Sequence, residues 1–130
     1  MADVTINLIH QEKGLYYKTD KMESYELMGI ETTVAADPGQ SIAWVCGDDS
    51  ISSIVAIEVN VKKPFDKNWS DFYIQKPDKI DPEGKCWEGL ILSDPVDPKN
   101  PEFNGYDITY LPTDATEPIT VDPDITIPAG

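Results

Sequence analysis

PGQSIAWVC, residues 38–46, is the stretch that decides the fold. A Pro-Gly turn feeds a run in which Ile42, Trp44 and Cys46 share one side and Ala43 and Val45 the other. Both faces are apolar, the pattern of a strand with neighbours on both sides in the middle of a sheet. The same alternation recurs outward from it. Val4, Ile6 and Leu8 oppose Thr5 and Asn7; Ile57, Val59 and Val61 oppose Glu58 and Asn60; Tyr106, Ile108 and Tyr110 oppose Asp107 and Thr109. IETTVA, FYIQ, WEGLIL, PITV and DITI are further strand candidates.

Turn chemistry punctuates these runs. DPGQ, CGDDS, DPEGK, DPVDPKNP, FNG and PTDATEP lie between them, and Asp-Pro occurs at 37–38, 81–82, 94–95, 97–98 and 122–123 without a common period. Proline fixes its own φ and holds the residue before it extended, so each pair ends or begins a strand. Helical periodicity is nearly absent, with a single turn expected at most within 11–24 or 64–72. The expected fold is one all-β domain over residues 1–130. It is a Greek-key β-sandwich, immunoglobulin-like or of a related layout, of about seven to nine strands.

The 130 residues suffice for one core without disulfides or metal, and three Trp, six Tyr and three Phe supply bulk for it. Ten lysines, no arginine and 24 acids give a net charge of −14. That field repels nucleic acid and anionic membranes, and the missing arginine removes the fork that grips phosphate in bidentate fashion. Neither nucleic acid nor membrane is an expected partner. The acids concentrate in 1–61 and 94–130, while 62–93 carries six lysines and six acids and is neutral.

No apolar run is long enough for a signal peptide or a membrane span, so the chain reads as cytoplasmic as given, and as exported if a leader has been trimmed. Cys46 and Cys86 are 40 residues apart, in no zinc-type or CxxC spacing. They are expected as buried, reduced thiols, or as one disulfide in an exported protein.

Several of these stretches resemble those of a known family. PGQSIAWVC is similar to the Pro-Gly-x-x-Ile/Val-x-Trp strand of cupredoxin-like β-sandwiches, with GYDITY and DPDITI in the places of their late and closing strands, over roughly residues 30–127. A type 1 copper site needs two imidazoles, a thiolate and an axial thioether. The family's pattern supplies one histidine soon after the tryptophan strand, then Cys, His and Met near the end. Here CGDDSISSI contains no histidine, the only histidine is His10, and no His or Met follows Cys86. One chain cannot bring two imidazoles to copper, and the resemblance therefore implies no redox role. Trp44 is then a packing residue, and His10 a satisfied or edge histidine.

Other chemistry is sparse. Nucleophilic catalysis would have to recruit His10, and there is no GxSxG and no phosphate-binding glycine loop. The expected function is a non-catalytic acidic binding or interaction module, with a protein or a second copy as partner and no resident cofactor. Two alternatives stand beside it. The first is a calcium-assisted or carbohydrate-binding module. Asp94, Asp97, Asn100, Glu102, Asn104 and Asp107 would offer the oxygens that a hard cation wants, although Leu111 falls where a closing bidentate Glu would sit. Trp69, Phe72, Tyr73 and Trp87 would stack on a glycan or anchor a partner, unless they are core. The second alternative is a carboxylate-based hydrolase, which requires two carboxyls in a cleft.

Overall fold

The computed structural model describes residues 2–29, 32–60, 72–91 and 102–127. These contain eleven strands and no helix, in two mixed sheets packed as a β-sandwich. They are β1 (Val4–Gln11), β2 (Gly14–Lys18), β3 (Glu26–Leu27), β4 (Thr33–Ala35), β5 (Ser41–Cys46), β6 (Ile51–Val59), β7 (Tyr73–Lys79), β8 (Cys86–Ile91), β9 (Glu102–Pro112), β10 (Ile119–Val121) and β11 (Asp124–Ile127). The count exceeds the expected seven to nine because of two further short strands, β2 within the 11–24 stretch where a helical turn was expected and β3 just beyond it. Residues 14–18 fold back on β1 as a hairpin, with Gln11 opposite Gly14 and φ +136° at that glycine; Glu26 and Leu27 then pair with Tyr17 and Tyr16.

The first sheet runs β3-β2-β1-β5-β8-β7, which places the tryptophan strand β5 between β1 and β8. The second is built on the long strand β9. Its one side pairs with β6 and its other with β10 and β11, and β4 pairs with β11. Two pairings are parallel, β1 with β5 and β4 with β11. The turn between β4 and β5 is the predicted Pro-Gly corner: Gln40 N–H donates to the Asp37 carbonyl at 3.2 Å, and Gly39 has φ +81°. A glycine carries that left-handed corner without Cβ strain.

Inward residues of both sheets close one core. Ile6, Leu8, Ile42, Trp44 and Ile91 meet Ile57, Tyr106, Ile108, Tyr110 and Ile125. In β9 the alternation predicted from sequence holds, with Tyr106, Ile108 and Tyr110 fully buried. In β6 it does not. Ile51, Ile54 and Ile57 are the buried positions, a spacing of three, while Val55 is exposed and Val59 only partly buried. Register shifts between Ile51 and Ser53 and between Ile54 and Ala56 cause this, since an extra residue in one strand returns the next side chain to the same face.

Candidate functional site

The aromatic cluster divides. Trp69 lies outside the described residues, whereas Phe72, Tyr73 and Trp87 are core, with relative exposures of 1%, 1% and 8%. Trp87 points inward from β8 and donates its indole N–H to the Ile54 carbonyl at 3.1 Å. Phe72 and Tyr73 meet edge to face at a ring separation of 5.1 Å. Phe72 and Tyr73 present no ring face to a sugar or a partner, which corrects that expectation for these two, whereas the little of Trp87 that is uncovered lines a second cavity with Glu58, Lys76 and Pro77. Burying such rings removes more apolar surface from water than any other use of the residues.

The calcium candidates divide as well. Asp94, Asp97 and Asn100 lie outside the described residues, as does the Glu102 side chain. Asn104 and Asp107 do not occupy a loop: both are in β9, three residues apart, and therefore on opposite faces. Asn104 is fully buried, while Asp107 accepts a hydrogen bond from the Asn60 amide at 3.0 Å. These two cannot share a cation, because the strand sends their oxygens in opposite directions. Among the described residues no group of three or more His, Cys, Asp or Glu side chains is placed to hold a metal ion.

His10 has structural work. Its Nδ1 lies 2.8 Å from the Tyr110 hydroxyl, joining β1 to β9 in the other sheet, and its backbone N–H donates to Ser50 Oγ at 2.7 Å. Ser50 is itself held by Asp48, whose carboxylate accepts from both its N–H and its hydroxyl. The CGDDS turn thus uses its acid to brace a corner. Burial pushes the Tyr110 hydroxyl up to about 12. Cys46 and Cys86 are both free and half-buried. Val45, not Cys46, is opposite Cys86, so the two thiols point to opposite faces of the sheet.

A concave feature lies elsewhere, at the margin where each sheet ends in a short edge strand. Between β3 of one sheet and β4 of the other is a cleft of about 370 Å³. Tyr17 and Met22 form apolar wall, and Thr33, Ala35 and Ala36 run along the other side. Among the described residues, Asp3, Asp20, Glu26 and Asp37 line it against one cation, Lys21. Burial and the nearby Glu26 carboxylate, in that order, raise the Tyr17 hydroxyl above its ordinary range. Asp3 is oriented by Ser41, whose backbone N–H donates to Oδ2 at 3.0 Å while the Asp3 N–H donates back to Ser41 Oγ at 3.1 Å. Apart from Asp37, which belongs to the DPGQ turn, the acidic lining residues belong to no motif. The segment from Thr19 to Glu26 reads as an undistinguished charged connection, and only the hairpin that returns Tyr17 beside Glu26 assembles the wall. No protein-family model matches the chain, and no curated protein matches it.

Proposed function

We propose that this protein is a non-catalytic binding module whose ligand site is the cleft between β3 and β4. The observation that carries the reading is the cleft itself: a concavity of about 370 Å³, walled by Tyr17 and by an edge strand, with four carboxylates against one lysine among the described residues. Ligand sites are typically concave and partly apolar, with a few polar groups that set orientation. The chain's single imidazole is engaged by Tyr110 and does not line the cleft, so the carboxylates there have no histidine to work with. They supply field and hydrogen-bond acceptors. The β-sandwich serves as the frame, and a chain with one histidine has no two-imidazole copper site to offer.

Amide-detected NMR tests this reading with a screen of small cationic, neutral and anionic compounds against the full chain. Shift changes should gather on residues 17–26 and 33–40, and they should vanish in Thr33→Trp, which fills the cleft. Hits that map elsewhere, or a screen with no hit, would overturn the assignment.

A further inference from the structure

We infer that the cleft receives an extended, basic peptide segment of a partner protein, which adds as a strand to the free edge of β4. This rests on the binding-module reading and names the partner's chemistry. The key is where the main chain of β4 directs its polar groups. Asp124 N–H donates to the Thr32 carbonyl at 2.9 Å, and Ala36 N–H donates to the Thr126 carbonyl at 2.9 Å. Residues 32, 34 and 36 therefore face β11 across the parallel ladder. Strand alternation sends the N–H and C=O groups of Thr33 and Ala35 the other way. Both residues line the cleft, and no strand pairs with that side of β4 among the described residues.

Two donors and two acceptors thus stand along one wall, at the spacing an added strand requires. The edge is held in shape before anything binds. At one end the Asp37–Gln40 turn is closed through Gln40 N–H to the Asp37 carbonyl, and the Gln40 side chain accepts from Asp37 N–H at 2.8 Å. At the other, Gly29 N–H donates to Thr32 Oγ1 at 2.9 Å and Thr32 N–H to the Gly29 carbonyl at 3.0 Å. An edge that needs no ordering loses less entropy when it pairs.

Charge selects the occupant. Glu26 is on the facing wall, Asp3, Asp20 and Asp37 complete an acidic lining against Lys21, and the whole molecule carries −14. Lysine or arginine side chains projecting from the added strand meet that field, whereas a second copy of this chain brings the same sign of charge and is repelled. Edge pairing supplies affinity independent of sequence, and the carboxylates supply the preference for basic side chains.

The test uses the full chain and a capped Lys-Thr-Lys-Thr-Lys peptide followed by amide NMR, with Glu-Thr-Glu-Thr-Glu as the acidic control. Two further basic peptides are N-methylated at their odd or their even residues, which keeps charge while removing one register of N–H donors. The basic peptide should shift cleft residues and slow hydrogen exchange at the Thr33 and Ala35 amides. One N-methylated register should bind at least about tenfold more weakly than the other, the equivalent of a lost hydrogen bond. The double variant E26Q/D37N should weaken the parent peptide several-fold. Equal binding of both N-methylated peptides, with unchanged exchange at Thr33 and Ala35, would overturn strand addition. Spermidine in the cleft with no peptide binding would also overturn it while leaving the binding-module reading intact. Silence from every probe would remove both.

Discussion

Trp44 and Trp87 stand directly opposite each other across the β5–β8 pair, and each sends its indole N–H into the other sheet. Trp44 Nε1 donates to the Tyr106 hydroxyl at 3.1 Å, and Trp87 Nε1 donates to the Ile54 carbonyl at 3.1 Å. The two layers are joined by directed bonds as well as by apolar contact. The buried ring of Trp44 also meets that of Tyr106 edge to face at 5.4 Å.

Replacing Trp44 by Phe leaves a void and removes the indole N–H that donates to the Tyr106 hydroxyl. A loss of about 2–4 kcal/mol is expected, from packing and from the lost hydrogen bond. Urea denaturation of W44F, Y106F and the double variant should reveal a coupling of about 0.5–3 kcal/mol. Strict additivity would show that the bond contributes nothing.

Tyr73 is the opposite case. Its hydroxyl is fully buried and has no hydrogen-bond partner among the described residues, and burial pushes it well above the usual tyrosine range. Tyr73→Phe should be neutral or stabilising, by up to about 1–2 kcal/mol, since the desolvated hydroxyl brings a cost and no bond. A midpoint lower than that of the parent protein would contradict this.

Gly84 closes the β7–β8 turn at φ +73°, and a Cβ there would lie 2.8 Å from the Ile54 carbonyl oxygen. That carbonyl belongs to backbone and cannot swing aside. Gly84→Ala should cost roughly 1–3 kcal/mol. Gly29→Ala is the contrast, because a Cβ at Gly29 meets nothing within 4 Å. Thermal melts of the pair should separate clearly, with Gly29→Ala near the parent protein.

The two thiols should remain separate. With Cys46 and Cys86 on opposite faces, aerobic incubation should yield no intramolecular disulfide, and reductant should leave the melting temperature unchanged. Burial first, and neighbouring acids after it, raise the Cys46 thiol to about 11, so alkylation at neutral pH should be slow there. Intact mass after oxidation and timed iodoacetamide labelling read both expectations.

Alkaline pH should weaken the fold through Tyr110. Its hydroxyl ionises near 10 in the unfolded chain and at about 12 in the folded protein. The folded state therefore keeps a proton that the unfolded state has released. Its contribution is complete below pH 10 and falls away as pH rises towards 12. Denaturation midpoints from pH 8 to 11.5 should decline less steeply in Tyr110→Phe than in the parent protein. Identical slopes would count against the assignment.

Much of this architecture could be read in the chain before folding. The alternation in β1, β5 and β9, and the Pro-Gly corner before Ser41, were enough for an all-β sandwich with Trp44 in its core. Those signals are local, because side-chain direction in a strand repeats every two residues whatever it pairs with. Where bulges intervene the signal fails, and β6 buries every third residue instead. The aromatic residues Phe72, Tyr73 and Trp87 look alike in sequence whether they face a ligand or a core, since composition does not report which side of a strand is covered.

Strand content, the absence of a two-histidine copper site and the strongly negative field follow from residue types and their immediate order, and need no knowledge of what lies opposite. The partners did need it. That Val4 runs parallel to Ile42, that β4 shows one bare side, and that Tyr17, Glu26 and Asp37 gather around it are outcomes of long-range pairing. Main-chain hydrogen bonds are chemically the same at every residue, so only the assembled sheets decide which of them are left over at an edge.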